Sequence, residues 1–97
     1  MGLYRRHEDY IAVRAWETRM AALLRLVADR LTDDQLRWGM EFLAHAEYGL
    51  AIESVADWLA EEDRSLTAAE RAEMTALAGE LGADVHARVE RSLGHCL

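Results

Sequence analysis

The sequence predicts an all-α fold: a small antiparallel bundle of four to five helices with a long first helix, forming one domain. Three observations lead there. Apolar residues recur at helical spacing along most of the 97 residues, and no stretch shows a convincing strand alternation. Thr32-Asp33-Asp34-Gln35 and Thr67-Ala68-Ala69-Glu70 each carry the Thr-x-x-Gln/Glu spacing of a capping box, which opens a helix. The segments between periodic stretches are short, and short connections favour antiparallel neighbours.

The first helix is expected from about Tyr4 to Leu31. At 100° per residue, Val13, Trp16, Met20, Leu23, Leu24, Val27 and Leu31 form one apolar stripe, while Arg14, Thr18 and Arg25 face away. Thr32 then caps a second helix starting at about Asp33, where two aspartates suit the positive end of the helix dipole. Its inner face is Leu36, Gly39, Met40 and Leu43; Trp38, Phe42 and His45 lie on the outer face beside Glu41. The chain should bend over His45–Gly49, with Glu47 beginning a third helix. Tyr48, Ile52, Val55 and Leu59 form the core stripe of that helix, and Trp58 flanks it. A charged loop, Glu61–Ser65, ends it. Thr67 opens the fourth helix, which turns Met74, Leu77, Ala78 and Leu81 inward, and Gly82 stands where a C-terminal glycine cap is expected. Asp84 is placed to cap a short last helix carrying Val85, Val89 and Leu93.

Composition narrows the function. With 52% hydrophobic residues the chain can build a core, which argues against intrinsic disorder. A single Cys allows neither an internal disulfide nor a four-cysteine zinc site, and fits a reducing compartment. The N-terminal Met1-Gly2 lacks the Ser or Thr of a myristoylation signal, because Arg6 occupies that position. No apolar run is long enough for a signal-peptide core or a membrane span, so a cytoplasmic location is expected.

Charge is unevenly distributed. The net charge is −7, with 11 basic residues, all Arg, against 18 acidic ones. Residues 1–31 sum to +2, residues 32–84 to −10 and residues 85–97 to +1, so the acidity belongs to the middle helices. Nucleic acid and anionic membranes are therefore not expected partners, and the Arg residues of the first helix are scattered rather than aligned. On the third helix Glu53, Asp57 and Glu61 recur at i, i+4 and i+8, opposite the core stripe, with no Arg within that helix to offset them. This row is either a solvated face or part of a binding surface. The neighbouring Trp38, Phe42 and His45 favour the second reading, because an aromatic cluster rimmed by carboxylates suits a protein partner. The alternative for Trp38 and Phe42 is burial beneath the first helix or the C-terminal tail.

Signals of catalysis are weak. Glu41 and His45 lie one turn apart with Glu47 nearby, but no second helix supplies matching metal ligands, and a hydrogen bond closing the turn is the favoured role for His45. His7 and His86 stand alone, and Cys96 beside His95 lacks an oxyanion site. No phosphate loop, nucleophile elbow or calcium loop is present, so no enzymatic activity, metal or cofactor is expected.

The segment Glu41-Phe42-Leu43-Ala44-His45-Ala46-Glu47-Tyr48-Gly49-Leu50-Ala51-Ile52-Glu53 resembles the signature of MafI-family immunity proteins, small bacterial proteins that protect a cell from its own polymorphic toxin. Asp57-Trp58-Leu59, Ser65-Leu66-Thr67 with Glu70, and Leu81-Gly82-Ala83-Asp84 extend the likeness over residues 33–85, although position 46 is Ala where Gly is expected. The resemblance implies a helical protein that binds a secreted toxin domain of nuclease type and blocks it. Nuclease toxins are basic where they hold phosphate, so an acidic partner gains from steering. Candidate contacts are Glu41, Glu47, Glu53, Asp57 and Glu61, with Trp38 and Tyr48 as candidate anchors. Glu47, Gly49 and Ala51 have the alternative role of fixing the helix–helix turn. The competing reading is a helical adaptor or homodimer that associates through Trp38 and Phe42.

Overall fold

In the computed structural model, residues 7–62 and 64–96 are described; the expected helix start at Tyr4, and Asp63 in the charged loop, lie outside them. Five α-helices follow in order: α1 (His7–Leu26), α2 (Asp33–Ala44), α3 (Tyr48–Glu61), α4 (Ala68–Gly79) and α5 (Ala83–Leu93). Both capping boxes form. The Thr32 hydroxyl accepts from the Gln35 amide at 3.0 Å and Gln35 Oε1 accepts from the Thr32 amide at 3.0 Å. Thr67 and Glu70 repeat the exchange at 3.0 and 2.9 Å.

α1 stops at Leu26, short of the expected Leu31. Val27 leaves the helix, Ala28–Arg30 tighten into one 3₁₀ turn, and Leu31 is extended at φ −118°, ψ 154°. That extension delivers Thr32 in the extended backbone an N-cap needs. Val27 remains fully buried, so the apolar stripe outlasts the helix that announced it. The end of α4 also differs from expectation. Glu80 closes it in right-handed geometry, and Gly82 comes later, at φ 130°, ψ 166°, as the N-cap of α5. Only glycine holds that conformation without strain. Asp84 consequently sits inside the first turn of α5 instead of capping it.

α3 forms the centre. Ala51, Ile52, Val55, Ala56 and Leu59 are all fully buried, and the helix packs on α2, α4 and α5. α1 closes the bundle by packing on α2 and α4, so the helices follow one another around the core as α1, α2, α3, α5, α4. Two close fits hold α1 in place. The Trp16 indole Nε1–H donates to the Leu77 carbonyl of α4 at 2.9 Å, which satisfies a polar group that burial would otherwise penalise. Gly39 lets α2 approach α1, since a Cβ there would lie 3.0 Å from Leu24 Cδ2. No helix among the described residues is long and apolar enough to cross a membrane.

Glu70 is the buried charged residue among those described, at 5% exposure. Arg30 meets it with two bonds, Nη1 to Oε1 at 2.6 Å and Nη2 to Oε2 at 2.7 Å. The same guanidinium donates to the Leu26 carbonyl at the end of α1 and to the Ser65 carbonyl ahead of α4. Its hydrogen bonds hold the Glu70 carboxyl down at about 2, against an ordinary 4.5. Between α2 and α3 the chain reverses through Ala46 at φ 59°, a left-handed conformation at a non-glycine residue.

Two outcomes follow from these local features. Because the folded carboxyl titrates below its unfolded value, the Glu70–Arg30 pair contributes fully above pH 4.5 and its contribution disappears as the pH falls through 2, about 3 kcal/mol in all. Glu70→Gln should therefore lose about that much stability at pH 7, with the gap to wild type closing towards pH 2, as measured by urea unfolding at a series of pH values. Ala46→Gly should raise stability by about 0.5–1 kcal/mol, read as a higher urea midpoint at unchanged slope.

Candidate protein-binding surface

The charge that the sequence separates by segment is brought together by the fold. Arg19 of α1 grips Glu73 with Nε at 3.1 Å and Nη2 at 2.9 Å, and reaches Glu80 with Nη1 at 2.5 Å. Donating to the Glu73 and Glu80 carboxylates raises the Arg19 guanidinium above its ordinary range. Arg88 of α5 donates to Asp57 Oδ2 at 2.7 Å and lies 3.5 Å from Glu53, while the Ser92 hydroxyl donates to Asp57 Oδ1 at 2.6 Å. Each of these arginines comes from a basic flank and meets acids of the central stretch. Arginine suits this role because its planar fork engages a carboxylate with two bonds at once.

Glu53 and Asp57 therefore do not stand unrelieved opposite the core. Both are partly buried on the α5-facing edge of α3, and their counter-ion arrives from 31 to 35 residues downstream. Helical spacing within α3 carries no trace of it. Tyr48 is likewise drawn inward: its ring packs on Trp16 with centroids 5.1 Å apart, and its hydroxyl donates to Glu17 Oε2 at 2.5 Å. Glu47 is exposed as the N-cap of α3 and makes no side-chain capping bond. Glu61 is exposed at the opposite end of that helix, away from the α2–α3 turn.

Trp38 and Glu41 remain together on the outward face of α2. Trp38 is 55% exposed, and its ring tilts against Phe42 at 5.8 Å and 33°. Phe42 is half-buried against the core while Trp38 is exposed, so the alternative of burial applies in part to Phe42 and not to Trp38. Arg37, Trp38 and Glu41 line a shallow depression. Arg37 pairs with Asp34, one turn before it. His45 Nδ1 donates to the Glu41 carbonyl at 2.9 Å and lies 3.5 Å from Glu41 Oε2, closing the helix end as its position suggested. Glu41 and Glu47 form no ion pair with an arginine among the described residues.

No family model, curated protein or solved structure matches the chain. The surface must be read from its own geometry.

That geometry adds contributors the sequence did not single out. Leu50, at the start of α3, is 46% exposed and lies three and seven residues before Glu53 and Asp57, so a helical wheel places it near their solvent strip. Arg19, Arg88 and Ser92 had no local signal, because each acts through a distant helix. No cluster of three or more His, Cys, Asp or Glu side chains able to hold a metal is found among the described residues. His86 pairs with Glu90 at 3.1 Å, and Cys96 is buried, with its carbonyl held by Arg71 at 3.2 Å.

The contrast between Trp38 and Trp16 is measurable. Trp38→Ala should change unfolding free energy by less than about 0.5 kcal/mol and remove most of the acrylamide-accessible tryptophan fluorescence. Trp16→Ala should cost about 3–5 kcal/mol and leave that accessible emission in place.

Proposed function

We propose that the protein is an immunity protein that binds a cognate secreted bacterial toxin domain in the cytosol and neutralises it, the toxin being basic and of nuclease type. The observation that carries this reading is the half-exposed Trp38 beside Glu41 on the outward face of α2. A large aromatic held ready by Phe42 gives an anchor of low conformational freedom, and anchors of this kind dominate protein interfaces. Glu41, which no arginine among the described residues pairs, lies beside it, and Glu47 is exposed in the following turn; such carboxylates would draw a basic surface into encounter. Glu41 and Phe42 fall within the segment that resembles the MafI signature, and Trp38 within the wider span of that likeness.

Of the candidate contacts, Trp38, Glu41 and Glu47 have the geometry to meet a partner. Glu53 and Asp57 are engaged by Arg88, Tyr48 is engaged by Trp16 and Glu17, and Glu61 lies at the far end of α3. Inhibition would come from occupying the toxin's phosphate-binding region with fixed carboxylates, a step that asks no chemistry of this chain. Self-association through Trp38 and Leu50 is the second reading, favoured by the exposure of both. A twofold interface there would bring Glu41 and Glu47 towards their own copies, which like-charge repulsion opposes.

Co-expression with the toxin domain encoded by the neighbouring reading frame should restore growth, and the purified pair should form a one-to-one complex. Its association rate should fall about tenfold or more between about 10 mM and 150 mM salt. Absence of both rescue and complex would reject the immunity reading. A stable homodimer that shields Trp38 from quencher would favour self-association.

A further inference from the structure

The shallow depression on α2 sets an exposed aromatic ring beside a carboxylate. Trp38 and Glu41 are one turn apart, so an aromatic ring and a carboxylate line the same hollow. The ring is exposed, and its tilted contact with Phe42 limits its rotation. Glu41 Oε2 lies near His45, while Oε1 has no hydrogen bond among the described residues. The chain's own cation in the hollow, Arg37, is four residues before Glu41, a spacing at which the two can pair. Arg37 instead pairs with Asp34. The basic-before-acidic order at that spacing is the weaker one on a helix, and Arg37 turns back to Asp34 in the first turn of α2.

We infer that this hollow receives an arginine side chain of the partner, its guanidinium stacked on the Trp38 indole and donating to Glu41. An aromatic face beside a carboxylate offers a planar cation both a stacking surface and a pair of acceptors. A lysine ammonium is more strongly hydrated and cannot lie flat on the ring, so it gains less from the same site. The occupant is therefore an arginine on a basic protein surface. This inference rests on the reading of the chain as a partner-binding protein and names the group that the surface recognises.

The test uses the full chain and two small probes, N-acetyl-arginine amide and N-acetyl-lysine amide, with the Trp38 indole N–H followed by NMR. The arginine probe should shift that signal saturably and bind at least about threefold more tightly than the lysine probe. Glu41→Gln should weaken the arginine probe by about threefold or more, whereas Glu62→Gln, an exposed acid at the far end of α3, should leave it unchanged. Equal binding of the two probes, a non-saturating shift, or an unchanged affinity in Glu41→Gln would overturn the inference. A second arm separates it from the immunity reading. If the toxin domain binds Trp38→Ala and Glu41→Gln as tightly as wild type, the arginine seat is rejected and the immunity reading stands. If the arginine probe seats as expected and the toxin domain does not bind, the seat stands and the immunity reading falls.

Discussion

A carboxylate buried at the start of α4 and the guanidinium that reaches it from just beyond α1 determine how the two halves of the chain meet. Glu70 already belongs to its helix through the capping box with Thr67. Arg30 adds contacts to the end of α1 and to the loop before α4, so one guanidinium ties two backbone carbonyls and the Glu70 carboxylate together. Removing either partner would leave the other's charge without its counter-ion at a largely buried site, which costs stability. With α1 and α4 registered in this way, Trp16 meets Leu77 and Arg19 meets Glu73 and Glu80 along the same two helices.

The electrostatic design also decides which surface is left over. Arginines of the basic flanks close over acids of the central stretch, and Glu41 and Glu47 are among the acids that none of them reaches. They lie on the outward face of α2 and in its turn into α3. Polar contacts there are internal to α2, between Arg37 and Asp34 and between His45 and Glu41. The net charge of −7 thus overstates the breadth of any acidic face and understates its local definition.

Much of the fold was legible because helix starts are encoded locally. Thr32 and Thr67 each announce a helix within four residues, and the apolar stripes named Met20, Leu24, Ile52, Leu59, Met74, Leu77, Val89 and Leu93, all of which are buried. The misplaced boundaries have physical causes of another kind. Val27 and Leu31 continue the apolar period after the backbone has left α-geometry, because burial depends on where a side chain points and not on how its backbone is bonded. Gly82 reads equally well as the end of one helix or the start of the next, and the dihedral that separates the two is not written in the letter. At the candidate surface Trp38 and Glu41 were visible as an outer helical face. The pairing of Glu53 and Asp57 with Arg88 was not, since it depends on which helices become neighbours.

The self-contained bonding of α2's outer face bears on how such a protein changes over generations. Residues that hold the fold are coupled in networks, so replacing one calls for a compensating change in its partner. Trp38, Glu41 and Glu47 carry no such obligation to another helix. Their positions can be rewritten singly, each substitution changing the surface while the scaffold keeps its margin. A lineage pressed to follow a changing antagonist would find in this face the part of the molecule most open to diversification.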